Sequence, residues 1–317
     1  MPFDGAWEGR FRTDRTIVPG GYGQGGDRDR EVVTPVFAMA GHVRASDPIG
    51  GSERTASPTT GTRPLADSPT DTQYFDSFDG TRIAWRELGE GRPVVLIHGY
   101  FSTAEVNWLK YGHAATIAAR GFRVIMPDLR GHGASDRPHD AAAYPPDALM
   151  RDGLALIAHL GLTDYDLGGY SLGGRTTLRM LVNGATPRRA VLSGMGLTGI
   201  LKTSGRGEYF RNILTNLGCF ERGTNEWMTE AFLKTTGGDP VALLNVLATF
   251  VDTPLAALAE IDVPVAVITG AEDDDNGSGA ALADALPQAV FREVPGGHMS
   301  AVAKPELGQA IADFLAA

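Results

Sequence analysis

The chain has 317 residues, a formal net charge of −10 and a single cysteine, Cys219. The acidic balance argues against a nucleic-acid backbone or an anionic membrane as the main partner. One cysteine excludes an intrachain disulfide and a cysteine-based zinc cluster, and no apolar run reaches the ~18 residues of a membrane span. Low cysteine usage fits a reducing compartment, so we expect a cytoplasmic protein.

Residues 1–73 differ in composition from the rest of the chain. They are rich in Gly, Pro, Thr, Arg and Asp, as in the run from Gly20 to Gly26. Such a segment buries too little apolar surface to offset the conformational entropy that ordering would cost. We therefore expect a disordered or loosely attached tail over residues 1–73, followed by a folded domain over residues 74–317.

Strands and helices alternate along the folded domain. Asp79-Gly80 separates two alternating segments and predicts a β-hairpin, and residues 93–97 form the continuous apolar run of a strand buried on both faces. Further strands are predicted over residues 122–127, 165–168, 189–193, 263–269 and 289–294, and helices over residues 114–120, 147–160, 171–182, 279–286 and 305–315.

This alternation implies an α/β fold with a mostly parallel sheet that helices cover on both faces, and with the hairpin at one edge. The interval of about 195–259 breaks the pattern. It contains three helical stretches, over residues 208–217, 226–235 and 240–250, and is too long for a simple connection. We interpret it as a helical cap inserted over the sheet.

A Gly-x-Ser-x-Gly motif, Gly169-Tyr170-Ser171-Leu172-Gly173, lies between a predicted strand and a predicted helix. A serine hydroxyl is a poor nucleophile unless it is exposed and has a base within hydrogen-bond reach. A tight strand-to-helix turn exposes it, and the two glycines relieve the crowding of the strained backbone. The motif predicts a nucleophilic serine at position 171.

Three further loops follow predicted strands, and catalytic groups of a parallel sheet lie beyond the carboxyl ends of its strands. These loops are His98-Gly99-Tyr100-Phe101, Gly270 to Asp275, and Gly296-Gly297-His298-Met299. Serine, acid and histidine in that chain order, each on its own loop, are the arrangement of a Ser-His-Asp triad on this kind of sheet. We expect His98 to shape its loop rather than to act as a base.

With the loop Pro127-Asp128-Leu129-Arg130-Gly131-His132-Gly133-Ala134-Ser135-Asp136, these motifs resemble the α/β-hydrolase superfamily. The resemblance is to its branch of serine esterases, haloperoxidases and C–C hydrolases. It covers the chain from about residue 73 to the end. It implies an eight-stranded, mostly parallel sheet with helices on both faces and a helical cap insertion.

The resemblance also implies a role for each residue of the triad. Ser171 would be the nucleophile, His298 the base that later protonates the leaving group, and Asp273 the acid that orients His298. The family usually has Gly-x-x-Asp after this strand, which residues 270–273 match. Asp274 and Asp275 remain alternatives for the acid.

An oxyanion hole is implied at the backbone N–H groups of Leu172 and Tyr100, with Phe101 as the alternative to Tyr100. Apolar side chains near these loops are candidates to line an acyl pocket or, alternatively, to pack in the core. They are Phe101, Tyr170, Met195, Leu197 and Met299.

The expected activity is hydrolysis of a small-molecule carboxylic ester through an acyl-serine intermediate. Serine at position 171 argues against the dehalogenase and epoxide hydrolase branches, which use an aspartate nucleophile. No cofactor or metal is implied, because no segment resembles a metal or nucleotide signature. C–C bond, lactone or thioester hydrolysis and cofactor-free perhydrolysis remain open on the same triad, as does non-catalytic binding of a small ligand.

Overall fold

The computed structural model describes residues 71–317, so all but the last three residues of the expected tail lie outside the described residues. The centre of the described part is one eight-stranded sheet. Its strands are β1 (Gln73–Asp76), β2 (Arg82–Leu88), β3 (Arg92–Ile97), β4 (Phe122–Pro127), β5 (Asp166–Tyr170), β6 (Ala190–Ser193), β7 (Val265–Gly270) and β8 (Ala289–Val294).

The strands lie across the sheet in the order β1-β2-β4-β3-β5-β6-β7-β8. β1 and β2 form an antiparallel hairpin, β2 also runs antiparallel to β4, and all remaining neighbours are parallel. The sequence therefore predicted both the parallel body of the sheet and its antiparallel edge correctly. The carboxyl ends of β3 to β8 share one edge of the sheet, which brings their loops together.

Helices cover both faces of the sheet, as predicted. Val95 and Ile97 of β3 belong to one core cluster, and Val94 and Leu96 belong to another, because successive side chains of a strand point to opposite faces. A continuous apolar strand is the consequence of burial on both sides.

Besides a π-helical turn (Glu105–Leu109) and a 3₁₀ turn (Ala141–Ala143), the helices are α1 (His113–Ala118), α2 (Ala148–His159), α3 (Leu172–Val182), α4 (Leu197–Leu201), α5 (Ser204–Thr215), α6 (Asn225–Thr235), α7 (Pro240–Ala248), α8 (Leu255–Leu258), α9 (Gly279–Asp284), α10 (His298–Ala301) and α11 (Pro305–Ala316).

Helices α4 to α8 fill the interval between β6 and β7, and we refer to residues 195–259 as the cap segment. The stretches predicted as helical in this interval correspond to α5, α6 and α7. α5 begins four residues before its predicted start, because Gly205 and Gly207 weaken the helical pattern of its first turn. α4 and α8 have five and four residues, which is too short for a periodic signal.

The strand that leads to Ser171, β5, runs to Tyr170, two residues beyond its predicted end. Gly168 and Gly169 have low strand propensity, yet they pair with Leu96 and Ile97 of β3. Parallel pairing on both sides thus overrides local propensity at this point. As a result, the strand leads directly into Ser171. In the helices of residues 71–317, no stretch is long and apolar enough to cross a membrane.

A buried arginine joins the hairpin to the helix layer. Arg130, which is fully buried, forms ion pairs with Asp152 of α2, at 2.7 Å, and with Asp79 of the hairpin turn, at 2.6 Å. The Ser77 hydroxyl also donates to Asp152, at 2.6 Å. The guanidinium therefore ties together three segments that are distant in sequence, including the loop after β4.

We expect Arg130→Ala to lower the free energy of unfolding by about 3–5 kcal/mol, because it leaves the carboxylate of Asp152 buried without its partner. Urea denaturation monitored by circular dichroism would measure this. The control is Arg188→Ala, which removes a solvent-exposed pair with Asp164 and should cost no more than about 1 kcal/mol. Equal losses in the two variants would contradict the structural role assigned to Arg130.

Candidate active site

Ser171 occupies a strained turn between β5 and α3. Its φ of 54° and ψ of −113° are unfavourable for a residue with a side chain and cost on the order of 1–3 kcal/mol. Its N–H donates to the carbonyl of Ser193 at the end of β6, at 2.8 Å, which holds the turn in place. The surrounding sheet therefore fixes the conformation of this serine.

The two glycines of the motif are required by close backbone approach. A Cβ on Gly169 would lie 2.3 Å from the carbonyl carbon of Gly173, and a Cβ on Gly173 would lie 1.9 Å from the carbonyl oxygen of Ile97. Either side chain would push α3 away from β3 and β5. The spacing of the motif is thus the condition for seating the first turn of α3 on the sheet.

The structure brings Ser171, His298 and Asp273 into one hydrogen-bonded line. The distance from Ser171 Oγ to His298 Nε2 is 2.9 Å, and that from His298 Nδ1 to Asp273 Oδ2 is also 2.9 Å. An ionised carboxylate can only accept, so Nδ1 carries the proton and Nε2 accepts from the serine hydroxyl. This arrangement can activate a serine hydroxyl as a nucleophile.

The three consecutive aspartates after β7 have different surroundings. Asp273 is the one that contacts His298, and its side chain is 2% exposed. Asp275 instead forms an ion pair with Arg206 of α5, and Asp274 is exposed. Of the alternatives that the sequence left open, the geometry favours Asp273 as the acid.

Tyr170 contacts His298 through both its hydroxyl and its ring. Its hydroxyl donates to the backbone carbonyl of His298, at 2.5 Å, and the two rings lie 5.5 Å apart. Burial raises the pKa of the Tyr170 phenol, so the hydroxyl remains a donor at neutral pH. Tyr170 thus helps to fix the position of the imidazole, in addition to lining the cavity.

Two backbone segments can supply N–H groups to an oxyanion. Leu172 is the first residue of α3, and the first four N–H groups of a helix have no partner within it. On the opposite side, the N–H of Gly99 is occupied by the side chain of Asn107, at 3.0 Å, which leaves the next amides, those of Tyr100 and Phe101, as candidates. Phe101 has a φ of 60°, so the backbone turns sharply at this point.

Sequence reasoning missed Asn107 because it lies in the π-helical turn, which has no sequence signal of its own. Its side chain is nonetheless buried, and it lines the same cavity as Ser171. We infer that Asn107 holds the loop after β3 in position through the N–H of Gly99.

Two buried histidines support that loop. His98 Nε2 accepts from the N–H of Leu129, at 2.9 Å, so its Nδ1 carries the proton and donates to the Gly99 carbonyl, at 2.8 Å. Burial lowers the pKa of His98 to about 4. The ring of His132 lies 5.1 Å from that of His98, and burial lowers the pKa of His132 to about 3. Both imidazole rings are therefore neutral at physiological pH.

A cavity of about 420 Å³ opens above Ser171. Among the residues predicted for a pocket, Phe101, Tyr170 and Met299 line it. The cap segment contributes a further set that the sequence did not reveal, because a sequence does not show which face of a cap helix is turned towards the sheet. This set is Arg206, Tyr209, Phe210, Asn225, Met228, Thr229 and Phe232.

Met195 and Leu197 lie outside the lining of this cavity, contrary to expectation. Met195 is 1% exposed and belongs to a core cluster with Ile200, and its Cγ lies 3.0 Å from the position that a Cβ on Gly174 would take. Leu197 begins α4 and packs against the same cluster. Both side chains are used for packing, which was the alternative reading of their apolar character.

One hydrogen bond connects the loop after β3 to the cap segment. The Tyr100 hydroxyl donates to the carbonyl of Leu243 in α7, at 2.6 Å. The ring of Tyr100 stacks on Phe101, at 4.4 Å, and meets Phe210 of α5 edge-on, at 4.7 Å. Tyr100 therefore links its own backbone N–H, a candidate oxyanion donor, to the helices above it.

In the part of the chain that the structure describes, no cluster of three or more His, Cys, Asp or Glu side chains is arranged to hold a metal ion. The cavity above Ser171 also presents the polar side chains of Asn107, Arg206 and Asp275.

Comparison with known proteins identifies the family. A profile of the alpha/beta hydrolase family matches residues 94–307, which include Ser171, Asp273 and His298. The chain belongs to the alpha/beta hydrolase family.

Individual relatives of this chain agree with the family assignment. A non-heme haloperoxidase of Rhodococcus erythropolis is 36% identical over 126 residues, which are 38% of this chain and 43% of the relative, so the match spans less than half of the relative's length. The crystal structure of a hydrolase from Pseudomonas aeruginosa has a TM-score of 0.61 and 26% identity, and the match covers 78% of this chain and 99% of that one. A structure of an esterase from Thermogutta terrifontis has a TM-score of 0.64 and 22% identity, with 78% and 98% covered, which supports the fold.

We expect the stability of this protein to fall at acidic pH because of its buried histidines. A histidine with a folded pKa below its unfolded value of about 6.5 contributes stability that is full above pH ~6.5. That stability is lost as the pH falls towards the folded values of about 4 for His98 and about 3 for His132. Between pH 7 and pH 4.5 the loss should be on the order of 2 kcal/mol per histidine.

Urea denaturation at the two pH values, in the wild type and in His132→Phe, would measure this loss. The variant cannot take up a proton at this position, so it should lose less stability on acidification than the wild type. An equal loss in both proteins would show that His132 does not titrate as expected.

Proposed function

We propose that this alpha/beta hydrolase is a serine hydrolase that cleaves carboxylic esters through an acyl-serine intermediate. The observation that carries the proposal is the line from Ser171 Oγ through His298 to Asp273, with 2.9 Å at each step, on the floor of a cavity. The neighbouring amides of Leu172 and Tyr100 complete the set of groups that acyl transfer needs.

In the proposed reaction, Ser171 Oγ attacks the ester carbonyl carbon while His298 Nε2 takes the hydroxyl proton. The carbonyl oxygen becomes an oxyanion and accepts from the N–H groups of Leu172 and Tyr100. The imidazolium, stabilised by Asp273, then protonates the leaving alkoxide as the C–O bond breaks. Water then attacks the carbonyl carbon of the acyl-serine while His298 Nε2 takes its proton. As the bond between the acyl carbon and Ser171 Oγ breaks, the imidazolium returns the proton to Oγ and the carboxylic acid is released.

The walls of the cavity favour a neutral substrate with an aromatic or other bulky apolar group. Tyr209, Phe210 and Phe232 line it from the cap segment, and Phe101 lines it from below. The one arginine among the lining residues, Arg206, is already paired with Asp275, so the pair adds no net charge. The volume of about 420 Å³ lies in the range of small-molecule sites, roughly 300–1,000 Å³.

A second candidate reaction is cofactor-free perhydrolysis, which the similarity to the Rhodococcus haloperoxidase favours. It uses the same acyl-serine, but hydrogen peroxide replaces water in the second step, so the product is a peracid. Product analysis with and without added peroxide separates the two reactions.

Ser171→Ala should reduce ester turnover by about 10⁴- to 10⁶-fold, because it removes the nucleophile while the rest of the site remains. It should also abolish covalent labelling by a fluorophosphonate probe, which reacts with activated serines. Labelling followed by gel fluorescence, together with hydrolysis of p-nitrophenyl esters, would measure both effects.

The matched control is Ser193→Ala, one strand away. The Ser193 hydroxyl is buried, and it has no hydrogen-bond partner within the described residues. This variant should keep wild-type labelling and turnover. A Ser171→Ala protein with full activity, or a wild type that binds small esters without consuming them, would refute the proposal.

Phe210→Ala should lower kcat/KM for esters with an aromatic group about tenfold, because the ring offers both contact area and edge-to-face packing. Short aliphatic esters, which fill less of the cavity, should be affected less. The comparison is made by steady-state kinetics on phenylacetyl and acetyl esters of the same alcohol. Phe291→Ala, on the exposed edge strand β8, is the control, and a uniform loss with both substrates would argue against an aromatic subsite.

A further inference from the structure

An ion pair joins the cap segment to the loop that carries Asp273. Arg206, in the first turns of α5, contacts Asp275 Oδ2 through Nη2. The side chains are 24% and 32% exposed, and both residues line the cavity above Ser171. The pair therefore crosses from the cap segment to the sheet at the substrate cavity itself.

The position of Asp275 gives this pair a connection to the histidine. The N–H of Asp275 points at Asp273 Oδ1, at 3.3 Å, while Asp273 Oδ2 accepts from His298 Nδ1, at 2.9 Å. One oxygen of the Asp273 carboxylate thus accepts from the loop backbone, and the other accepts from the imidazole. A shift of Asp275 would rotate the carboxylate and move the oxygen that His298 needs.

The cap segment holds the guanidinium in a fixed place. Arg206 Cζ lies 5.0 Å from the ring centroids of both Tyr209 and Phe210, within the range of a cation–π interaction. The Tyr209 hydroxyl is in turn hydrogen-bonded to Thr229 Oγ1 of α6, at 3.0 Å. The side chain thus has aromatic support from its own helix, and its charge is directed to Asp275.

The remainder of the loop is anchored independently of Arg206. The side chain of Asn276, which is buried, donates to the Gly194 carbonyl, at 2.9 Å, and the N–H of Glu272 donates to Gly296, at 3.1 Å. These contacts fix the backbone on both sides of residues 273–275. Between these anchors, Asp275 is held by its pair with Arg206 and by its N–H bond to Asp273. Loss of Arg206 should therefore allow the Asp275 N–H to shift without unfolding the loop.

We propose that Arg206 is a positioning residue that acts through Asp275 to orient the Asp273 carboxylate towards His298, so that the seated cap segment completes the proton-transfer line. This inference rests on the proposed serine hydrolase function. Arg206 is not assigned a contact with the reacting atoms. We expect Arg206 to affect the rate at which Ser171 reacts and not the affinity for substrate.

The test compares Arg206→Ala and Arg206→Lys with the wild type. In Arg206→Ala, kcat for a neutral p-nitrophenyl ester and the rate constant of fluorophosphonate labelling should both fall about tenfold, since small displacements in a catalytic array are costly. KM should change less than about twofold, because a group that acts only in the transition state does not alter uniform binding. Arg206→Lys, which keeps a cation within reach of Asp275, should recover most of both rates.

A double-mutant cycle identifies the partner. Asp275→Ala should lower kcat as much as Arg206→Ala, and the double variant should be no slower than either single one, because the two side chains act as one unit. Arg188→Ala, which removes an exposed pair away from the cavity, should leave both rates unchanged. Thermal unfolding of each variant establishes that the compared proteins are folded, and Arg206→Gln replaces Arg206→Ala if the latter does not fold.

Two results would overturn the inference while leaving the hydrolase proposal intact. One is an Arg206→Ala protein whose kcat and labelling rate equal those of the wild type, or a double variant whose loss is the sum of the two single losses. The other is a raised KM with unchanged kcat, which would make Arg206 a substrate-binding group instead. Failure of the wild type itself to label would count against the proposed function, so the two failures are distinguishable.

Discussion

The site depends on the close approach of α3 to the carboxyl ends of β3 and β5. Gly169 and Gly173 leave no room for a side chain at that contact, where a Cβ on Gly173 would come within 1.9 Å of a carbonyl oxygen. The approach forces Ser171 into a positive φ, and it also brings the unpaired N–H of Leu172 opposite the loop after β3. One steric constraint therefore sets both the exposure of the hydroxyl and the place where negative charge can be stabilised.

On the opposite side of Ser171, a neutral imidazole helps to hold the loop after β3. His98 uses both ring nitrogens, one as donor to Gly99 and one as acceptor from Leu129, so it ties the loop after β3 to the loop after β4. Burial keeps its pKa far below neutrality, which leaves no positive charge beside the amides of that loop. A lysine or a protonated histidine at this position would add a charge that must be compensated.

The sequence was sufficient for the features that follow from local rules. Turn residues predicted the hairpin, periodicity predicted the strands, and the order of motifs at strand ends predicted which loops would meet. Side-chain directions across the cap segment could not be predicted, because they depend on how α5, α6 and α7 pack on one another. The same reason explains Met195 and Leu197, whose apolar character fits a pocket wall as well as a core. Asn107 was missed because a π-helical turn has no periodic pattern.

The cap segment contacts the two sides of Ser171 through different helices. The Leu243 carbonyl of α7 accepts a hydrogen bond from the hydroxyl of Tyr100, whose backbone lies on the candidate oxyanion side. Arg206 of α5 pairs with Asp275 on the other side, next to Asp273. α5 and α7 pack against each other, so a displacement of one is transmitted to the other. In the proposed reaction, a ligand that pushes the cap segment outwards would therefore disturb the candidate oxyanion side and the contact between Asp273 and His298 together. A ligand that fits the cavity leaves the Tyr100–Leu243 and Arg206–Asp275 contacts in place. The shape of the ligand is therefore coupled to the geometry around Ser171.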